Sequence, residues 1–125
     1  MVSRYGTARE ILGGRFIVGA DAGRFRDDAM MLGEAGADYV GFGIPGHVED
    51  RQSARERQLE LVAWWAEIFE PPCVGFDVET VEDAAHLVLA GADFVALRPP
   101  SSAAAELARW AKEAAHALAT KEDVA

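Results

Sequence analysis

The sequence predicts an α/β fold in which four parallel strands alternate with helices, as in one half of a TIM (βα)8 barrel. Two observations favour this fold. The segment EAGADYVGFG (34–43) returns as LAGADFVALR (89–98), so that two similar units follow each other at the interval that separates Gly36 from Gly91. Short apolar runs without polar alternation stand between helix-like stretches, which is typical of strands buried on both faces of a parallel sheet. A small doubly wound parallel sheet is the alternative.

The first unit begins with a short helix over residues 7–12 and a strand at Phe16-Ile17-Val18. A helix over 24–34 follows and ends at Gly36, because glycine adopts the left-handed conformation of a helix terminus. The second strand covers residues 38–42. Ser53 and Glu56 have the capping-box spacing, which predicts a third helix from Ser53 to about residue 69, ended by two prolines.

The second unit repeats this order with a strand at 73–76, a helix from Thr80 to Gly91 and a strand at 94–97. Its first strand, PCVGFD, aligns with FIVGAD of the first unit when the repeat interval is lengthened by one residue, which matches Asp21 with Asp77. Ser101 and Ser102 then cap an alanine-rich helix that reaches about residue 118. We expect one domain over residues 1–118 and a frayed tail over 119–125.

Composition limits the possible partners and environment. The formal net charge of −9 repels the phosphates of nucleic acids. The apolar runs are too short for a membrane span, and the first residues lack the apolar core of a signal peptide. The lone cysteine, Cys73, falls within a strand, which favours a buried side chain over a nucleophile. Together these features predict a cytoplasmic protein without a nucleic-acid or membrane partner.

The order GADYVGFG, a Pro-containing loop and PCVGFDVETVEDAAHLVLAGADFVAL resembles the thiamine phosphate synthase family, including its thiazole tautomerase-like relatives. The similarity covers residues 15–118 and corresponds to the last four strands of that family's barrel. In this family the barrel joins hydroxymethylpyrimidine diphosphate to thiazole phosphate, using magnesium, and releases pyrophosphate. The resemblance therefore implies a transferase of thiamine biosynthesis with a small phosphorylated substrate.

The resemblance also implies that the magnesium ligands lie in the early strands and not in this chain. We therefore expect an incomplete or degenerate synthase that is catalytic only with a complementary half-barrel. At the family's phosphate-binding positions, loop 44–51 has no lysine, Asp77-Val78 replaces a Gly-Gly turn, and two prolines follow Arg98. A non-catalytic module that binds a phosphorylated ligand is the second interpretation.

Candidate binding residues fall at the carboxyl ends of the predicted strands, where parallel α/β folds place their sites. No residue is assigned a catalytic role, and no metal ligand is assigned. Asp21 and Asp77 are either ligand-binding groups or local caps that pair with Arg98. Glycines let a ligand approach the backbone or serve packing alone. The predicted substrate-binding residues are Asp21, Gly41, Gly43, Asp77 and Arg98.

A half-barrel leaves two sheet edges and one apolar face uncovered, which predicts a homodimer or a complementary half-barrel. We expect this concave face to carry Val18, Val40, Val74 and Val95 or their neighbours on the alternate face. Trp64-Trp65 is expected on the outer helical layer. His47, in the longest loop, is either an acid–base group or simply solvated.

Overall fold

The computed structural model describes residues 2–99 and 104–124. Four strands form one parallel sheet in the order β1-β2-β3-β4, which confirms the predicted α/β fold. A doubly wound sheet reverses its strand order at a switch point, whereas this order is sequential and favours the half-barrel. The elements are α1 (Val2–Leu12), β1 (Ala20–Asp21), α2 (Arg26–Glu34), β2 (Val40–Phe42), α3 (Arg51–Ile68), β3 (Cys73–Val78), α4 (Val81–Ala90), β4 (Phe94–Leu97) and α5 (Ala104–Val124).

The aspartates of the two GAD segments make the same contacts at equivalent positions of the repeat. The Asp38 N–H donates to Val18 O at 2.9 Å, and the Asp93 N–H donates to Cys73 O at 3.0 Å. The carboxylates of the same two aspartates accept from the N–H groups of Val18 and Cys73, at 2.7 and 2.9 Å. Each aspartate therefore fixes the register of its own strand against the preceding strand of its unit.

At the carboxyl ends of the two strand pairs, equivalent backbone hydrogen bonds are separated in sequence by the same interval as Asp38 and Asp93. The Gly43 N–H donates to Gly23 O, and the Arg98 N–H donates to Val78 O. The lengthened alignment of the two first strands, which matches Asp21 with Asp77, is therefore wrong for the backbone. That alignment matched the aspartates near the ends of the two strands by residue type. Asp77, however, lies in a register irregularity of β3 and has a left-handed backbone with φ 61°.

The first strand starts later than predicted. Phe16 and Ile17 were expected in a buried strand, but they are 58% and 81% exposed, and β1 covers only Ala20–Asp21. The reason is that pairing with the second strand begins at Val18 and Asp38, so the two preceding apolar residues have no strand of this sheet beside them.

Helix caps decide the remaining boundaries. Asp50 caps α3 by accepting from the Ser53 N–H at 3.1 Å, so the prediction that Ser53 begins this helix is wrong by one turn. Thr80 caps α4 through the Asp83 N–H, as predicted. Gly91 ends α4 with a left-handed φ of 118°, also as predicted.

The last helix is longer than predicted. α5 continues to Val124, beyond the predicted end near residue 118. The domain limit at residue 118 stays a prediction. The predicted caps Ser101 and Ser102 lie outside the described residues.

The hydrophobic core lies between one face of the sheet and the helices. Val40 and Phe42 are fully buried there, and the Trp65 ring contacts Phe42 edge-on and stacks on Phe69 with centroids 4.2 Å apart. Trp65 therefore lies in the helical layer, as expected, and its ring is buried between α3 and the sheet. Trp64 is only partly buried, under the Arg26 guanidinium.

The opposite face of the sheet is packed differently. Val74 and its partner in register, Phe94, lie on this face, because Gly75, one residue on, faces Leu87 of α4. Val18, Val40 and Val95 belong instead to the core or pack against it, so only Val74 of the four predicted valines lies on the uncovered face. Its other occupants are the rings of Tyr39 and Phe76, which lie over Gly19 and Gly41.

None of the described helices is long and apolar enough to cross a membrane.

We predict that Gln58→Leu destabilises the protein by about 1–3 kcal/mol, because Gln58 Nε2 is buried and donates to Phe42 O at 2.8 Å and Phe76 O at 2.7 Å. The substitution leaves both carbonyl groups without this donor. Urea unfolding measures the loss. Gln52→Leu, at an exposed position of the same helix, is the control and should leave the free energy of unfolding nearly unchanged. Equal effects of the two substitutions would contradict the role of Gln58.

Candidate functional site

The carboxyl ends of the four strands bring four of the five predicted site residues together. A Cβ atom built on Gly43 would lie 2.7 Å from Asp77 Oδ2 and 3.4 Å from Asp21 Oδ2. Arg98 joins the group through Asp77, whose Oδ1 accepts from Arg98 Nη2 at 2.8 Å. The absent side chain of Gly43 thus leaves room for two carboxylates from the neighbouring strands.

Asp21 ends β1, where the residue is exposed to solvent while its carboxylate is partly desolvated. Burial raises its pKa, the hydrogen bond from the Gly23 N–H lowers it, and the nearby charge of Asp77 raises it again, with a net increase. The Gly23 contact, at 2.7 Å, is a local turn of the kind expected for a capping aspartate. Asp21 therefore caps its own loop and also faces a second carboxylate.

Asp77 is held from two sides. Its Oδ2 accepts from the Ile44 N–H at 3.0 Å, and its Oδ1 pairs with Arg98. Aspartate is one of the few non-glycine residues that tolerates the left-handed backbone found here. The predicted pairing of an aspartate with Arg98 is thus found for Asp77, while Asp21 turns back on Gly23.

Gly41 serves packing. The space that its side chain would fill is taken by the Phe76 ring. Of the two interpretations left open for the glycines, close packing describes Gly41, whereas Gly43 borders the polar strand ends.

Sequence reasoning missed two charged residues at this edge. Arg51 donates to Pro45 O at 3.1 Å and to Glu79 Oε1 at 3.3 Å, and Glu79 also lies 3.9 Å from Arg98. Ion pairs join the side chains of Arg51, Glu79, Arg98 and Asp77 in this order and connect the loops that follow β2, β3 and β4. Position offered the only signal: Glu79 follows the last residue of β3, and Arg51 opens the helix after the second strand.

The other candidates are peripheral. His47 is exposed in the loop between β2 and α3. Cys73 is buried, and burial is the largest cause that raises its pKa to about 11, which is the behaviour of a structural thiol. No group of three or more His, Cys, Asp or Glu side chains among the described residues could hold a metal ion.

Parallel βα units with charged residues at the carboxyl ends of the strands are typical of parallel α/β domains. Within that class, the family model described as thiamine monophosphate synthase matches residues 3–122. The chain belongs to the thiamine monophosphate synthase family, as its sequence resemblance implies.

Curated relatives agree. The chain is 42% identical over 92 residues to the thiamine-phosphate synthase of Erythrobacter litoralis, covering 72% of this chain and 43% of that protein. It is 42% identical over 93 residues to the thiamine-phosphate synthase of Rhodospirillum centenum, covering 74% and 45%. The thiamine-phosphate synthase of Hyphomonas neptunium is 43% identical over 91 residues, with 73% and 41% covered. The matched segments span less than half the length of these relatives, and no solved structure matches the chain significantly.

We predict that Asp77→Asn lowers the pKa of Asp21 toward the ordinary value, because it removes the negative charge that helps to raise it. Carboxyl-carbon NMR titration of Asp21 measures the change. Glu67→Gln, at an exposed position of α3, is the control. An unchanged Asp21 pKa in Asp77→Asn would show that burial alone is responsible.

The same shift has a consequence for stability. The folded protein holds the Asp21 proton more tightly than the unfolded chain does, so Asp21 reduces the free energy of unfolding as the pH rises from 3.8 to its folded pKa. Asp21→Asn should therefore flatten the pH dependence of urea unfolding in this window. A dependence that is unchanged in Asp21→Asn would contradict this assignment.

Proposed function

We propose that this chain acts in thiamine biosynthesis as the half of a thiamine-phosphate synthase that contains the last four strands of the barrel. This synthase is a transferase that couples hydroxymethylpyrimidine diphosphate to thiazole phosphate. The observation that carries the proposal is its membership of the family, together with the meeting of Asp21, Gly43, Asp77 and Arg98 at the carboxyl ends of adjacent strands. We place the protein in the cytoplasm.

The proposed role of Arg98 is to stabilise negative charge on a phosphate group as pyrophosphate leaves. Its guanidinium is 55% exposed at the carboxyl end of β4, so that a ligand has access to it. Asp77 holds the guanidinium in place through one carboxylate oxygen, and its other oxygen lies where a Gly43 side chain would be.

The resemblance implies magnesium, which would neutralise the charge of a diphosphate group when bound. No group of three or more possible ligands occurs among the described residues, and no step is assigned to the metal. Further strands are needed to complete the site.

We predict that thiamine phosphate forms when the chain, both substrates and magnesium are combined with a complementary set of βα units. One reaction contains the pure chain, and a second adds the N-terminal half of the Rhodospirillum centenum synthase. Mass spectrometry measures thiamine phosphate, and released pyrophosphate is measured in parallel. Absence of product in both reactions would overturn the catalytic proposal.

In a reaction that gives product, Arg98→Ala should lower kcat/KM about 100-fold, because it removes the cation at the strand ends. Arg57→Ala is the matched control, since Arg57 pairs with Glu60 within α3. Equal activity of the two variants would remove Arg98 from the site.

The pairing of Arg98 with Asp77 also favours a second candidate, a non-catalytic module that binds a phosphorylated ligand. A guanidinium engaged by one carboxylate and lying 3.9 Å from another is a weaker anion site than a free one. Calorimetric titration with thiazole phosphate and with thiamine phosphate distinguishes the candidates. Saturable binding without turnover would support the module.

A further inference from the structure

We propose that two copies of this chain close one eight-stranded parallel barrel, with β4 of each copy beside β1 of the other. A two-fold axis parallel to the strands keeps all eight strands parallel and removes both edges of each sheet. The proposal names the partner of the strand-end site, and it stands on the packing of the chain whether or not the chain turns over substrate.

The register of the new junction follows from the internal repeat. β2 and β4 are equivalent strands, as are β1 and β3, because their backbone contacts recur at the interval from Asp38 to Asp93. The β2–β3 junction is thus a template for the junction between β4 and β1 of the other copy. Its pairs are Val40 with Cys73, Gly41 with Val74, and Phe42 with Gly75.

Replacing each residue of these pairs by its equivalent in the other unit gives the contacts between copies. Val95 of one copy pairs with Val18 of the other, Ala96 with Gly19, and Leu97 with Ala20. All are small or apolar residues, which suits a buried parallel strand pair.

The same register brings the exposed apolar residues of the two edges together. In β2 the Val40 N–H donates to Pro72 O, and the equivalent bond joins the Val95 N–H to Ile17 O of the other copy. Phe94 therefore faces Ile17. These side chains are 64% and 81% exposed in the single chain, and their mutual contact would bury both.

The exposure of Phe94 has a local cause. Its equivalent, Tyr39, lays its ring over Gly19, whereas the residue beside Phe94 in register is Val74, whose side chain leaves no such space. The Phe94 ring cannot fold back onto its own sheet in this way. It remains exposed on β4, the edge strand beside which the second copy is proposed to bind.

A groove is present where the new strand would lie. A cavity of about 640 Å³ runs beside β1 and is bounded by α1; its lining includes Tyr5, Ala8, Val18, Gly19 and Asp21. Helix α1 precedes β1 as α3 precedes β3, and Gln58 of α3 binds the β2 carbonyl group of Phe42. By this equivalence α1 would cover β4 of the other copy.

Charge complementarity favours the same partner. β1 ends at Asp21 on one edge, and Arg98 follows β4 at the other edge, both at the carboxyl ends of their strands. Closure brings Arg98 of each copy to the side of Asp21 of the other, so that a carboxylate lying close to Asp77 gains a cation. The two sets of strand-end residues then surround a single barrel mouth.

The first test is a disulfide across the predicted register. Ile17→Cys combined with Phe94→Cys should give a covalent dimer under mild oxidation, because paired residues of neighbouring strands lie within disulfide distance. Cys73 is buried and will not compete. The control pairs Ile17→Cys with Leu89→Cys, an apolar position of α4 that is 57% exposed, and should not cross-link to dimer.

Non-reducing gel electrophoresis separates the outcomes. A dimer band without larger species supports the closed barrel. A ladder of trimers and longer species would show open head-to-tail association and overturn closure. Monomer alone, or equal cross-linking of the control pair, would overturn the proposed register.

The second test leaves the chain free of new thiols. Analytical ultracentrifugation at micromolar concentration should show a dimer for the unaltered chain. Phe94→Glu should weaken dimerisation at least about tenfold, because it places a charge in an apolar contact, while Leu89→Glu should not. Circular dichroism establishes that both variants fold. A monomeric unaltered chain, or a Phe94→Glu variant as dimeric as the control, would overturn the proposal; neither readout depends on enzymatic activity.

Discussion

The contact between each GAD aspartate and the preceding strand sets the register on which the sheet depends. Asp38 and Asp93 bind the backbone of Val18 and Cys73 with both an N–H group and a carboxylate oxygen. Side chains alternate between the two faces of a strand, so a slip of one residue would exchange the core face for the other face. These two aspartates therefore determine which residues reach the helices and which reach the strand ends.

Arg9 extends this control to the first helix. Its guanidinium pairs with Asp38 at 2.7 Å and donates to Phe16 O at 3.0 Å, joining α1 to the start of the first strand. Hydrogen bonds from Val18 and Arg9 lower the pKa of Asp38, so the stabilisation is present above the ordinary pKa of aspartate and is lost as the pH falls through the folded value. The first strand is short, and it is positioned largely by charged side chains.

Local residue patterns predicted the fold because they carry its main constraints. Thr80 and Gly91 fix the ends of α4 wherever the helix packs, and the repeated GAD segments place β2 and β4. The failures have a common cause, which is that the deciding contact is distant in sequence. Ile17 looks like a buried strand residue, but no neighbouring strand of this sheet reaches it.

The candidate site shows the same division. The strand-end positions of Asp21, Gly43 and Arg98 follow from the order of strands alone. The partner of Arg98 could not be chosen from sequence, because Asp21 and Asp77 look equivalent when the strands are aligned by their aspartates. The backbone hydrogen bonds show that Asp21 and Asp77 are not at equivalent positions. The ion pair of Arg51 with Glu79 could not be predicted, because it joins loops that have no repeated sequence pattern.

The left-handed backbone of Asp77 couples anion binding at the strand ends to the backbone conformation of β3. Such a conformation costs on the order of 1 kcal/mol and persists because neighbouring groups hold it, here the Ile44 N–H and the Arg98 guanidinium. An anion that binds Arg98 in place of Asp77 would remove one of these restraints on the Asp77 backbone. The affinity for the anion would then depend on the backbone conformation of β3, although the anion does not contact that strand.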